Sequence, residues 1–544
     1  MNAPGMLLSA SLMLPLAMAA CCISGRFRAR AASLLVLAPL PALLAALLVP
    51  DGTAVFFPQP LRLTLVLDRP GAILLGGAAL LWSAAGAYAS SYMGREPAMP
   101  RFAVWWLLTL TGSLGLFIVA DVVNFYLLFT LASLAAYGLI VHEQTIPAHR
   151  AGVIYVTLAL LAEAFLILAL VMLAAGHPDA NPAIRDVVAT LPSSPMREGI
   201  VVLLILGFAL KMGLVPLHVW LPLAHPAAPM PASAVLSGVV VKAGVIGLIR
   251  FLPFEAGLPF GGTVLIAAGI VTAYYGVAVG VTQTRAKTIL AYSTVSQMGL
   301  LAVLLGVGLE NADSQTTSLV AYYAVHHTLV KGALFLAVGI LAASSGARLR
   351  PLLLLATGIL ALSLGGMPLT SGALAKLTIK PMLGYGFVGF AMSLAGAGST
   401  LLMLHFLSTV WRDGREKPAT SAPLGQIIPW LVVAAASLVI PWSLYPAITG
   451  ESLAELVEPD ALWKITWPML LGIFAMLLVR RLTSLQGAIP EGDLVVLAES
   501  GGPAVQRLVA GAQQADAYLR RWPVAGLWVL GLVILLGGML MLQG

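Results

Sequence analysis

Long apolar segments, separated by short polar or basic stretches, run through almost the whole sequence. A membrane-spanning helix needs about 20 apolar residues. The pattern predicts sixteen such spans, centred near residues 13, 40, 81, 111, 131, 163, 208, 242, 270, 297, 330, 370, 400, 435, 474 and 532. Residues 53–68 alternate weakly, which predicts a strand or loop at the membrane interface. Residues 485–521 are polar with a helical period, typical of an amphipathic connector on the membrane surface.

The composition agrees with an all-α polytopic membrane protein. Of 544 residues, 60% are hydrophobic and 9% are charged, whereas a soluble domain carries about 25% charged residues. The two cysteines, Cys21 and Cys22, are adjacent inside the first span, so the sequence excludes a thiolate iron–sulfur or zinc centre. We therefore predict no cofactor, no metal site and no redox or hydrolytic site.

The basic residues predict the orientation of the spans. When alternate loops are assigned to alternate sides, eighteen Lys and Arg residues fall on one side and six on the other. Because basic loops stay on the cytoplasmic side, both termini are expected on the outer side of a bacterial-type inner membrane. The net charge of +7 is thus attributed to topology, and no nucleic-acid partner is predicted. The first apolar segment is interpreted as a retained span.

Two spans contain an internal proline, Pro216 in the seventh and Pro368 in the twelfth. A proline inside a helix costs about 3 kcal/mol, and membrane proteins accept it where the freed carbonyls line a polar cavity. Each broken span carries a lysine, Lys211 before its proline and Lys376 after it. The reversed order and the separation of five spans predict two inverted five-helix repeats. The predicted regions are N-terminal spans 1–100, a first repeat 101–253, a second repeat 259–412, C-terminal spans 413–484, and a connector with the last span, 485–544.

Lys211 and Lys242 fall in the middle of apolar spans, where an ionisable side chain is costly and usually functional. Burial also disfavours the charged form of an amine, which favours proton exchange. Only Glu163, among 22 acidic residues, falls well inside a predicted span, and it is the expected partner of Lys211. The alternatives are a static ion pair for helix packing and a glutamate that faces water alone.

On the eleventh span, His327 and Lys331 are four residues apart, so both lie on one helical face. An imidazole and an amine so placed can pass a proton along water. The neighbouring His326 is expected to point elsewhere.

Four further residues have less specific interpretations. His218 and His225 flank the break of the seventh span, and structural or water-organising roles are expected because no acid is near in sequence to complete a metal site. Lys287 lies near the start of the tenth span and is either a relay residue or a topology charge. Lys380 is expected to extend toward the membrane interface.

Residues 211–250, KMGLVPLHVWLPLAHPAAPMPASAVLSGVVVKAGVIGLIR, are followed in order by KTILAYSTVSQMG, HHTLVKGALFLAVG and GGMPLTSGALAK. Together they resemble the antiporter-like subunits of complex I, group 4 membrane-bound hydrogenases and Mrp cation/proton antiporters, over residues 60–412. The Mrp D and hydrogenase-type subunits are the most similar. The resemblance implies about fourteen core helices, here followed by about two extra spans. It also implies proton transfer along a central axis through Lys211, Lys242, His327, Lys331 and Lys376.

The sequence departs from this family at one position. The fifth helix of the family carries a glutamate that pairs with the seventh-helix lysine, and Thr130 in NFYLLFTLAS stands in its place. Either Glu163 replaces that acid from the next helix, or the uptake path is altered. Bicarbonate-uptake relatives tend to have asparagine at the position of Lys242, which argues against that branch.

The resulting hypothesis is a proton-translocating subunit of a larger ion-pumping membrane complex, with or without cation exchange. Its expected partners are other membrane subunits, the lipid bilayer, H⁺ and, in the antiport case, Na⁺. Two alternatives stay open, namely a transporter of bicarbonate or another anion, and a passive scaffold with a vestigial relay.

Overall fold

The computed structural model describes residues 3–22, 24, 31–58, 62–94, 96, 98–175, 177–179, 181–344, 348–413, 421–454, 458–481 and 486–500. The chain divides into two units, Met1–Ile489 and Pro490–Gly544. Helices dominate the described residues of the first unit. In the second unit the described part contains a short helix, Asp493–Ser500. The rest of the predicted surface connector and the sixteenth span lie outside the described residues.

The described residues of the N-terminal region form three helices and a β-hairpin, which precede a long buried helix. These elements are α1 (Ala3–Cys21), α2 (Ala31–Leu34), α3 (Leu40–Leu48), β1 (Thr53–Phe57), β2 (Leu63–Leu67) and α4 (Arg69–Tyr92).

Five helical segments follow, of which the fourth is broken into two helices and the fifth contains a π-helical segment. They are formed by α5 (Met99–Gly115), α6 (Val122–Ile140), α7 (Ile146–Ala174), a short surface helix α8 (Ile184–Thr190), α9 (Arg197–Met212) with α10 (Trp220–Ala227), and α11 (Met230–Val235) with α12 (Lys242–Phe251).

The next five helical segments again have a broken fourth member. They are α13 (Pro259–Gly280), α14 (Ala286–Glu310), α15 (Thr316–Ala343), α16 (Arg350–Gly365) with α17 (Ser371–Leu383), and α18 (Phe387–Asp413). Two more helices complete the first unit, α19 (Leu424–Thr449) and α20 (Pro459–Val479).

Eleven helices of the described chain are long and apolar enough to cross a membrane. The second and fourth predicted spans correspond to shorter helices, and the seventh and twelfth are each divided in two. The prediction of a multi-pass all-α membrane protein is therefore confirmed, while the number of spans stays a prediction.

Within residues 53–68, predicted as a strand or loop, β1 and β2 form an antiparallel pair in which Thr53 pairs with Leu67 and Phe57 with Leu63, and we call this pair the hairpin. Asp121 attaches this hairpin to the helices. Its carboxylate caps α6 by accepting the backbone N–H of Asn124 at 2.9 Å. It also accepts the N–H of Thr64 in β2 at 2.8 Å. We call the side of the molecule that carries the hairpin the hairpin face.

Both broken helices end in the same backbone motif. Gly213 (φ 79°) ends α9 and Gly366 (φ 98°) ends α16, each in the left-handed region that favours glycine. One residue later, Leu214 N–H donates to the Ala209 carbonyl and Met367 N–H donates to the Leu362 carbonyl, both at 2.9 Å. The glycines therefore end the first half-helices. Pro216 and Pro368 lie in the linkers that follow.

Candidate functional site

Lys211 lies in the last turn of α9, just before the break, and its side chain is buried. Its Nζ donates to Ser133 Oγ at 2.9 Å and to the Tyr155 hydroxyl at 3.1 Å. The same Nζ lies 5.6 Å from the ring centroid of Phe129 and 5.4 Å from that of Tyr155. Aromatic faces attract a cation at these distances, so the pocket accommodates a protonated amine.

Glu163, on α7, approaches the same group of hydroxyls. The Thr130 hydroxyl donates to Glu163 Oε2, and Ser133 and Tyr126 lie close to this carboxylate. Ser133 therefore lies between Glu163 and Lys211, and the two residues predicted as a pair meet through it. The carboxylate also occupies the neighbourhood of Thr130, the position where the family resemblance expects an acid.

Lys242 begins α12 directly after the π-helical segment Leu236–Val240, and it is 1% exposed. A π-segment widens the helix and changes which carbonyls are bonded within it, and such segments often occur at functional sites. Lys242 Nζ donates to the Ser237 carbonyl at 3.2 Å. Thr328 Oγ1, from α15, donates to the next carbonyl, that of Gly238, at 2.7 Å. The irregular backbone thus supplies acceptors inside an apolar region.

A second contact joins Lys242 to α15, where its Nζ lies 2.5 Å from Nδ1 of His327. Two bases so close cannot both be charged at low cost, so one donates to the other. His327 Nε2 has no hydrogen-bond partner within the described part of the chain. Lys331 lies one turn further along α15, within electrostatic reach of His327, and its Nζ donates to the Leu290 carbonyl at 2.8 Å.

Lys376 lies in α17, beyond the second break, and its Nζ donates to the Gly365 carbonyl at the end of α16, at 2.5 Å. His326 lies within electrostatic reach of both Lys376 and His327. His326 therefore faces the second break and lies between His327 and Lys376. The sequence interpretation missed this position. The adjacent histidines were the available signal, because neighbouring helical residues point to different sides.

The histidines near the first break have mainly aromatic neighbours. The His218 ring packs edge-on against Tyr275 at 4.9 Å, and the His225 ring lies 4.8 Å from that of Phe335. Within the described residues, no group of three or more His, Cys, Asp or Glu side chains could hold a metal ion.

Lys287 is directed inward. Its Nζ donates to the carbonyl of Ala228, at the end of α10, at 2.5 Å. His225 lies within electrostatic reach of both Lys287 and Lys331. Lys287 and His225 therefore lie beside the buried bases on the side opposite to the hairpin face, where α10 ends and α14 begins.

Residues 119–402 match the profile of a protein family described as NADH:quinone oxidoreductase/Mrp antiporter, transmembrane. The chain belongs to this family. It is 30% identical to hydrogenase-4 component B of Escherichia coli over 291 residues, which are 51% of this chain and 43% of that protein. It is 28% identical to the D-type component of an Na(+)/H(+) antiporter of Bacillus subtilis over 379 residues, 66% of this chain and 76% of that one.

The fold is also similar to that of a chain in the Mrp complex from Dietzia sp. DQ12-45-1b. The TM-score is 0.72 at 22% identity, and the similarity covers 100% of this chain and 63% of that chain. This chain spans about half of the length of several curated relatives that it matches. The resemblance inferred from the motifs is thus confirmed at the level of family and fold.

Proposed function

We propose that this chain is a proton-translocating subunit of a larger ion-pumping membrane complex. Protons pass Glu163 and Lys211, then Lys242, His327 and Lys331, and leave through Lys376, with His326 as an additional step. The observation that carries the proposal is the direct contact between two buried bases, Lys242 Nζ and His327 Nδ1.

This contact provides the chemistry of proton transfer. Among the described residues of the membrane spans, Glu163 is the one buried carboxylate, so most of these bases have no fixed counter-charge. Two unit charges 4 Å apart interact by roughly 4 kcal/mol at an effective dielectric constant of 20. Protonation of one base therefore disfavours protonation of the next, and a proton moves along the row when an upstream charge changes.

The energy for this movement comes from outside the relay. Moving one charge against 100 mV costs about 2.3 kcal/mol, which neighbouring subunits or a counter-ion gradient supply. Similar proteins include a component of an Na(+)/H(+) antiporter and a chain of an Mrp complex, which supports cation exchange and other membrane subunits as partners. We place the hairpin face on the outer side of a bacterial-type inner membrane, because the basic loops lie on the other side.

Lys211→Ala and Lys376→Ala test the proposal in the complete complex. Both variants should abolish coupled proton movement while the amount of assembled complex stays unchanged, measured by a pH-sensitive dye in inside-out membrane vesicles. Arg412→Gln, at an exposed basic residue outside the row, is the control and should pump normally. Normal pumping in both lysine variants would contradict the relay.

A further inference from the structure

A second amine on α17 lies one turn beyond Lys376, toward the hairpin face. Lys380 Nζ donates to the backbone carbonyl of Lys464 at 2.6 Å. Lys464 belongs to α20, which follows the region matched by the family profile. The contact therefore joins the helix that carries the last residue of the relay to a helix outside the family's common region.

Two cavities meet at this contact. The inner one, of about 50 Å³, is lined by Lys376 together with the polar residues Gln297, Tyr323 and Ser399. Since one water molecule needs roughly 10–15 Å³ of cavity volume, a few water molecules fit there. Lys380 and Lys464 line both this cavity and a second one of about 600 Å³.

The second cavity is acidic and opens near the hairpin face. Its lining includes Glu451, Glu458 and Asp460, from the loop after α19 and the start of α20. That end of α19 lies at the hairpin face, because the Arg69 guanidinium beside β2 donates to the Ala447 carbonyl. Asp460 also lies within electrostatic reach of Lys380. Lys380 thus has a hydrogen-bond acceptor in the Lys464 carbonyl and an opposite charge nearby in Asp460, whose carboxylate also pairs with Lys464 Nζ.

We propose that Lys380 is a gate between these cavities. When its ammonium binds the Lys464 carbonyl, α17 and α20 are held together and the water around Lys376 is closed off from the hairpin face. When the amine turns to Asp460, the two cavities join, and a proton released by Lys376 reaches the acidic cavity. The direction of proton release rests on the proposed function, but the gate itself concerns only access.

Thiol accessibility tests the gate without any transport assay. In the assembled complex, Cys21 and Cys22 are replaced by serine, and Ala395→Cys reports on the inner cavity that Ala395 lines. A membrane-impermeant maleimide is added from the hairpin face. Lys380→Met should increase the rate of labelling by about tenfold, because it removes one charged hydrogen bond. Lys380→Arg, which keeps the donor, should label slowly.

Two controls separate the gate from general effects. Asp460→Asn removes the carboxylate to which Lys380 turns but keeps the Lys464 carbonyl, so it should leave the labelling of Ala395→Cys slow. Tyr385→Cys, at a residue that is 91% exposed, should label equally fast in every background, which shows that the reagent reaches the hairpin face in each variant. Equal labelling with and without Lys380, or equal acceleration by Asp460→Asn, would overturn the gate. Normal gating in a complex that moves no protons would instead contradict the proposed function.

Discussion

The two groups of five helical segments stabilise the lysine beside their broken helix in different ways. In the first group, Lys211 is bound by side-chain hydroxyls, and Glu163 is a counter-charge on the far side of Ser133. In the second group, Lys331 and Lys376 donate to the backbone carbonyls of Leu290 and Gly365. Both groups thus share a broken fourth segment, but the lysine beside the break has different hydrogen-bond acceptors in each.

The difference concerns how firmly a proton is held. A carboxylate supplies a full negative charge, whereas the carbonyl end of α16, which binds Lys376, supplies about half a charge. Lys211 therefore has a counter-charge that can itself take up a proton. How firmly the amines of the second group hold a proton depends on the charge state of their neighbours. We infer that proton uptake is controlled in the first group. Proton release then follows from repulsion between protonated bases in the second group.

Lys242→Met should have the largest effect, because Lys242 connects α12 of the first group to His327 of the second. We expect proton movement to fall by roughly a hundredfold or more, the usual range for loss of a proton-transfer group. Dye quenching in inside-out vesicles measures the rate. An unchanged rate would show that the two groups work independently.

A pair of substitutions tests whether Glu163 has replaced the family's fifth-helix acid. Glu163→Gln alone should reduce proton movement by roughly a hundredfold, and adding Thr130→Glu should restore most of it, since Thr130 contacts the same carboxylate. The rate of each variant is compared per assembled complex. Loss without rescue would mean that the acid must approach from α7, and no loss at all would favour a scaffold with a vestigial relay.

His326→Gln should have a smaller effect, a reduction of about tenfold, because Lys376 would keep its contact with Gly365 but lose its nearest histidine. His405→Gln is a suitable control. His405 is also buried, but its ring bonds the Gln283 carbonyl at 2.7 Å, away from the row. Equal losses in both variants would indicate a packing defect.

Ser133→Ala should have the smallest effect on proton movement, a several-fold slower uptake. It should also lower the stability by about 1 kcal/mol for the lost hydrogen bond. Ser437→Ala, at a buried serine that bonds only within α19, provides the matched stability control. Thermal unfolding and vesicle pumping are measured together. If Ser133→Ala pumps as fast as the control, the hydroxyl between Glu163 and Lys211 does not carry protons.

The family and the membrane fold could be predicted from the sequence because both depend on local patterns. Apolar length determines whether a segment can span the bilayer, and a lysine such as Lys242 in a run of valines is conspicuous by its cost. The breaks were found at the correct spans through Pro216 and Pro368. The first half of each broken helix already ends shortly before its proline, at Gly213 and Gly366.

The tertiary structure alone decided which side chains meet. Ser133 becomes a link only because α6, α7 and α9 converge on it, and His326 becomes relevant only because α15 packs beside the second break. No periodic pattern in the sequence predicts either contact, since each joins residues far apart along the chain. Sequence patterns therefore determined which ionisable groups are buried, and packing determined which neighbour each of them can exchange a proton with.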